Sequence, residues 1–511
     1  MGKRYITTPI YYAYGSVHIG NSYTTVVCDV LARYFRLKGE DVFYLTGMDE
    51  HGQKIQEAAE KRNITPKALA DEVSEKTKKL WADLKITEDY FIRTTDKKHE
   101  EIVAKVFEMM KASGDIYLGT YEGNYCVSCE AFFTKSQLDE LSNCPDCHKS
   151  IKKIKEEAYF FKLEKYAKKL LKYIELHPNF ILPETRRNEV VKFVESGLKD
   201  LCVSRTKFTW GVKVTSDPKH VIYVWVDALF NYLTALGFLT DDDKLYQKFW
   251  VDNDKIVHVL GKDILRFHAV YWPIFLMSIG VPIKFQLLVH GWILMKEGKM
   301  SKSVGNVVYP MEVVEKFGLD SLRYYLVKEL SEGKDGIFTY KQFVERYNAD
   351  LANSYGNLCQ RTIKMGLSYF NGIVNRPSKI DPPFELLSKV NEHVRLYNKY
   401  MDNYQAAEAT EIVNLLVNDI NKFIDLTTPW ALAKDPEKKS ELEDVIYYIL
   451  EGIKIASRMY EPILVETKEK IAKGLGLNEF DETFGSTKKY TLIEIEPLFK
   501  RIDKKEYEDE D

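Results

Sequence analysis

The sequence predicts a doubly wound, Rossmann-like α/β core with a parallel sheet, split by an insertion and followed by an α-helical domain. Three observations lead there. Strand-like and helix-like stretches alternate at the N-terminus, the alternation resumes beyond residue 250, and from about Tyr340 long helical stretches run with few strand signals. At 511 residues and 45% hydrophobic, the chain can bury several cores, roughly three at about 150 residues per domain.

The elements follow in order. Arg4 to Thr8 reads as a strand, Asn21 to Lys38 as a helix and Asp41 to Thr46 as a second strand, and the turn GMDEHG closes this unit. Farther on, the strand-like run Lys255 to Leu260 leads into GKDILRFH and an apolar helical segment, then Phe285 to Val289 and the turn HGW. This is expected to be the other half of the same sheet. The partition expected is a first half-core at 1–115, a cysteine-bearing insertion at 116–220, the second half-core at 221–293, a connector at 294–345 and a helical domain at 346–511. The acidic end KKEYEDED is expected to fray.

Composition excludes some classes. A formal net charge of -3 is not that of a protein coated in positive charge, although an RNA partner needs only a local basic surface. The Lys-rich stretch Lys149 to Lys172 reads first as a solvated helix face and second as a phosphate contact. Neither a signal peptide nor a membrane-length apolar run is evident, so a cytoplasmic, membrane-free location is expected. Cys28, Cys202 and Cys359 are scattered in apolar surroundings, where a thiol behaves as a small core residue.

Two motifs suit phosphates. In Tyr11 to Ser22, YYAYGSVHIGNS, a strand gives way to a glycine-bearing turn and a helix, which aims N–H groups at an anion. A P-loop would need Lys after its second Gly, and Asn21 stands there. Far downstream, Lys299 to Ser303 spells KMSKS between Gly298 and Gly305, and two lysines in such a loop can neutralise a polyphosphate. Either motif alone could be an ordinary turn or surface loop; the pair is far more specific.

Cys126, Cys129, Cys144 and Cys147 form two CxxC pairs with fourteen residues between them. Four thiolates at that spacing suit tetrahedral zinc, with His148 as an alternative ligand. His99-Glu100 lacks the second His of a zinc-protease helix, which disfavours metal-dependent hydrolysis.

HIG at 18–20, KMSKS at 299–303 and an insertion between them resemble the class I aminoacyl-tRNA synthetases, over nearly the whole chain. The resemblance implies that the HIG turn and KMSKS loop hold ATP, with Mg2+, while an amino-acid carboxylate attacks the α-phosphate. No protein nucleophile is needed, so the protein works by positioning and electrostatics. It implies that His18, Lys299 and Lys302 carry that role, with Tyr12, Gly20 and Asn21 also at the ATP and Gly261, Asp263 and His290 near the adenosine. The family's second His is Asn21 here; its amide can donate a hydrogen bond but adds no charge.

Further segments, TTPIYYAYG, GMDEHGQKIQ, YVWVDALFNY, GKDILRFHAVYWP and HGWIL, are similar to the methionine-specific members. That likeness implies L-methionine as substrate and tRNA(Met) as partner. Ile10, Tyr12, Trp225, Ala228, Leu229, Tyr232, Ile264, Phe267 and His268 would line the side-chain pocket, Asp49 would meet the ammonium group and Arg205 the carboxylate. A polarizable thioether suits aromatic walls with few polar contacts. Met48 stands where the family usually has Thr. The zinc knuckle would sit in the insertion, outside the chemistry. A core role is the competing reading for the aromatics, and a helix-end acidic pair for Asp49 and Glu50.

In the helical domain, NADLANSYGNLCQR and Thr428-Pro429-Trp430 resemble anticodon elements of the same family, with Asn357, Arg361 and Trp430 at the matching positions. Asn357 and Arg361, four apart, share a helix face, and Trp430 offers a plane for a splayed base; local capping and core packing are the alternatives. The chain ends soon after this domain, which favours a monomer. The rivals are a class I synthetase for cysteine or a branched aliphatic residue, and a non-catalytic RNA-binding protein that kept the fold.

Overall fold

The computed structural model describes residues 2–126, 131–133, 138–139, 142–145, 148–295, 298–299, 307–329 and 333–507. By internal contacts the chain falls into two compact units, Met1–Val17 with Phe35–Gly291, and His18–Tyr34 with Trp292–Asp511.

The first unit is built on a seven-stranded sheet of β1 (Lys3–Thr7), β2 (Tyr11–Tyr12), β3 (Asp41–Asp49), β4 (Tyr90–Arg93), β5 (Ile181–Leu182), β6 (Ile256–Gly261) and β7 (Phe285–His290). Every pairing in it is parallel, in the order β2-β3-β1-β6-β7-β5, with β4 also pairing β3. Burial explains the choice. All six residues of β6 are buried, mostly apolar with His258 among them, as a parallel strand covered on both faces requires. The order reverses at β1, which lies between β3 and β6, so the carboxyl ends of these strands are where a ligand of such a sheet binds. Gly47 is needed where β3 meets β4, because a Cβ there would come within 2.1 Å of the Ile92 carbonyl oxygen.

A separate four-stranded antiparallel sheet has Ile116–Cys126 paired with Lys152–Phe161, while β5, within the bounds expected for the insertion, joins the core sheet. The Lys-rich stretch is therefore a strand before it is a helix, which begins only at Ala167. The aromatic run Tyr159, Phe160 and Phe161 is buried in that strand, and it overrides the helical reading of the lysines, while Lys152 and Lys153 stay exposed.

The second unit is mainly helical. Its α1 (Ile19–Leu37) is tied to α2 (Leu319–Glu329) by a buried ion pair, Arg323 to Asp29 at 2.6 Å, and Arg323 also donates to the carbonyls of Pro462 and Ile463. The helices α3 (Asn357–Phe370) and α4 (Ala406–Thr427) bury apolar stripes, whereas α5 (Lys439–Tyr460) is buried on all sides from Val445 to Ser457. Cys28, Cys202 and Cys359 are all buried, as expected of core thiols. Among the described residues no helix is long and apolar enough to cross a membrane.

Candidate active site

The HIG turn has a specific local cause. The helix α1 begins at Ile19, two residues before the expected start, because His18 and Asn21 cap it reciprocally. His18 Nδ1 accepts from the Gly20 N–H at 3.1 Å, and the Asn21 side-chain oxygen accepts from the His18 N–H at 3.3 Å. Gly20 is required, since a Cβ would lie 2.9 Å from the His18 ring. The departure at position 21 thus has a structural consequence: an amide supplies the acceptor that closes the cap. Val308 O accepts from the Ile19 N–H at 3.0 Å within the same unit. Lys299 falls in a two-residue strand paired with Ile293–Met295, and Lys302 lies outside the described residues.

At the carboxyl ends of β6 and β7, Gly261 faces His290 in register. A Cβ at Gly261 would meet the Asp263 carboxylate at 2.6 Å, so only glycine lets Asp263 fold back there. His290 donates from Nδ1 to the Gly291 carbonyl at 2.7 Å, and burial pushes its pKa down.

Six of the residues expected at the amino-acid pocket join one apolar cluster: Trp225, Leu229 and Tyr232, with Ile10, Ile264 and Phe267 packed against it. The Trp225 and Phe267 rings stack with centroids 3.6 Å apart and planes within 5°. The Trp225 indole N–H is buried and has no hydrogen-bond partner among the described residues. Phe267 and His268 open a π-helical turn, Phe267–Tyr271. His268 Nδ1 lies 3.0 Å from the Ile264 carbonyl, which can only accept, so Nδ1 carries the proton and Nε2 accepts from the Tyr232 hydroxyl at 2.8 Å. Burial drives the His268 pKa down to about 4, which the Ile264 carbonyl and Asp263 only partly oppose. This polar pair is therefore neutral at physiological pH.

The two acids of the GMDEHG turn part company. Asp49 ends β3, buried, beside Tyr12 in register. Glu50 is taken up by Arg93 at 2.7 Å and by the hydroxyls of Ser74 and Thr95. Neither belongs to the following helix, which starts at Gln53, so the helix-end reading of the pair does not hold. Arg205 is buried with its guanidinium 4.6 Å from the Tyr223 ring, and it donates to the Cys202 and Ser204 carbonyls.

Sequence reasoning missed one cluster. Asp227 receives His51 Nδ1 at 2.8 Å on one oxygen and His99 Nε2 at 2.9 Å on the other, all three buried. The DEH and VDA contexts were the available signals, but His51 and Asp227 stand 176 positions apart.

Cys126 and Cys144 are both fully buried and share one small cluster with Leu138 and Ile151; Cys129 and Cys147 lie outside the described residues. His148 is 73% exposed and pairs with Asp139 at 3.0 Å, which argues against it as a metal ligand. Among the described residues no three potential ligands gather at one point. On α3, Asn357 and Arg361 line one cavity of about 400 Å³ with Gln360, Lys364, Ser368 and Tyr369. Arg361 donates to the Asn421 side chain at 3.1 Å, while its buried Nε–H has no partner among the described residues. Trp430 follows Pro429 in a four-residue helix and is 44% exposed, so it is not a core residue.

A nucleotide-type parallel sheet with an HIG helix start and a downstream KMSKS segment defines the class I synthetase type of enzyme. A family model described as "tRNA synthetases class I (M)" matches residues 4–155 and 149–363. The chain is 48% identical to the methionine–tRNA ligase of Bacillus subtilis over 98% of its own length and 78% of that protein's. The Clostridium tetani methionine–tRNA ligase gives 48% identity with the same coverage. Among solved structures, Mycobacterium tuberculosis methionyl-tRNA synthetase in complex with methionyl-adenylate matches with a TM-score of 0.92 and 38% identity, covering 98% of this chain and 100% of that one. Its free form gives 0.85 and 35%, covering 98% and 99%. The chain belongs to the methionine–tRNA ligases, the methionine-specific family of class I aminoacyl-tRNA synthetases.

Proposed function

We propose that this chain joins L-methionine to tRNA(Met) in two steps, with the following residues in the following roles. The observation that carries the reading is the Trp225–Phe267 stack beside the Tyr232–His268 pair. Flat apolar faces next to a polar pair that carries no charge suit a thioether and penalise any charged side chain. Ile10, Tyr12, Ala228, Leu229 and Ile264 complete the wall. Asp49 meets the ammonium group through a charge-assisted bond and Arg205 the carboxylate.

In the first step a methionine carboxylate oxygen attacks the α-phosphorus of ATP, forming the acyl–phosphate bond as the bond to pyrophosphate breaks. Gly261, Asp263 and His290 meet the adenosine. His18, whose Nδ1 accepts from the Gly20 N–H so that Nε2 carries the ring proton, and the lysines Lys299 and Lys302 stabilise charge on the phosphoryl oxygens. Magnesium, when bound with the triphosphate, neutralises charge on the leaving group. In the second step a hydroxyl at the 3′ end of the tRNA attacks the acyl carbon and AMP leaves. Cys126, Cys129, Cys144 and Cys147 would hold one structural zinc; the two described thiols, buried together, fit that donor set. Asn357, Arg361 and Trp430 read the anticodon, the first two with unspent donors at a cavity and the third as an exposed stacking plane.

ATP–pyrophosphate exchange across the twenty amino acids tests the reading. Exchange stimulated by methionine far above all others is expected; a preference for cysteine or a branched aliphatic residue would overturn it.

A further inference from the structure

Between the GMDEHG turn and the helix Val224–Leu229 lies a buried polar cluster that the proposed chemistry does not use. The Asp227 carboxylate is 1% exposed, His51 4% and His99 2%. Each Asp227 oxygen takes one imidazole: Oδ2 is 2.8 Å from His51 Nδ1 and Oδ1 is 2.9 Å from His99 Nε2. The second nitrogen of His51 faces the Glu100 carboxylate at 3.3 Å, and that of His99 faces the Thr234 hydroxyl at 2.7 Å. A ring with a carboxylate on each nitrogen donates from both, so His51 is an imidazolium. Burial opposes that charge, and Asp227 together with Glu100 overcomes it.

Position gives the cluster its meaning. His51 stands two residues after Asp49, and Asp227 two residues after Trp225. Trp210 holds the same turn from another side, with its carbonyl accepting from the Gly52 N–H at 3.2 Å and its ring 5.3 Å from that of His51. An ion pair taken wholly out of water contributes little net stability, because desolvation offsets the attraction; its directional bonds fix geometry instead. We infer that Asp227, bridging His51 and His99, is a positioning residue of the methionine site: it fastens the strand end that carries Asp49 to the helix that carries Trp225. Glu100, its own side chain 41% exposed, reaches the second nitrogen of His51 and completes the brace.

The inference rests on the reading that Asp49 and Trp225 hold methionine, and the test separates the two. In ATP–pyrophosphate exchange, Asp227→Asn keeps the shape but sets an amide N–H₂ against one imidazole nitrogen, which must give up its proton to keep the contact, so the charge-assisted bond is lost. The expected result is a methionine KM raised about tenfold or more, with the ATP KM within twofold of wild type. A purely structural defect would lower the active fraction, and so kcat, and leave both KM values alone. Because His51 and Asp227 act as a unit, the double variant with His51→Gln should raise the methionine KM no further than Asp227→Asn alone. If Asp227→Asn does not fold, His99→Gln, which leaves the Asp227–His51 pair intact, should still raise the methionine KM about threefold. An unaltered methionine KM in whichever variant folds, or equal rises for methionine and ATP, would overturn the brace. Loss of methionine-dependent exchange in the wild-type chain would instead overturn the functional reading.

Discussion

Trp225 and Trp430 serve in opposite surroundings. Trp225 is 8% exposed, stacked on Phe267 and backed by the apolar cluster of the first unit, whereas Trp430 is 44% exposed on a four-residue helix of the second. A small apolar side chain is selected by enclosure, because each methylene gains from burial and a misfit leaves a void. A base in an anticodon loop arrives attached to a large polyanion, so its partner must be an open plane with donors alongside. On the proposed reading the same side chain serves two recognition tasks, and exposure separates them.

The largest effect should come from Trp225→Ala. Removing one face of the stack costs about 3 kcal/mol of methionine recognition, on the order of a hundredfold in kcat/KM for methionine. Exchange and tRNA charging should fall together, since both pass through the adenylate; steady-state exchange at varied methionine measures it, and an unchanged KM would remove Trp225 from the pocket.

A smaller effect is expected of Tyr232→Phe. It leaves the buried Nε2 of His268 without its donor, at a cost of about 1–3 kcal/mol in stability. Urea unfolding of the two proteins measures this, and coincident midpoints would mean that the hydroxyl does not serve His268.

The gentlest probe is pH, which separates the two histidine environments inside the first unit. His268 titrates near 4, below the 6.5 of a free imidazole, so its contribution is complete above 6.5 and is lost as pH falls towards 4. His51, opposed by burial but raised to about 10 by Asp227 and Glu100, has the reverse sign: its contribution is complete below 6.5 and is lost as pH rises through 10. Urea midpoints from pH 4 to 10 should fall on both sides, and Glu100→Gln should shallow the alkaline side alone. An unchanged alkaline side in that variant would mean that Glu100 does not hold the His51 charge.

How much of this was legible depends on how local each cause is. The strands Lys3–Thr7 and Phe285–His290 and the HIG and KMSKS motifs are written in short runs whose periodicity or spacing suffices. The start of α1 was misplaced by two residues because a histidine, outside the usual capping set, does the capping through Asn21. Lys152–Phe161 looked helical from its lysines, but its strand is set by pairing with Ile116–Cys126. The Asp227 cluster was invisible for a different reason: its partners come from positions 51, 99 and 227, and no local pattern announces a contact made only by the folded sheet.

The contrast between the two tryptophans is tested most directly by measuring two activities on one folded preparation of Trp430→Ala. Loss of a stacked base costs roughly 1–3 kcal/mol. Aminoacylation of tRNA with a CAU anticodon should therefore fall about tenfold to a hundredfold, while methionine-dependent pyrophosphate exchange stays at the wild-type rate. Equal losses in both activities, or charging that is undiminished, would contradict the assignment of Trp430 to the RNA.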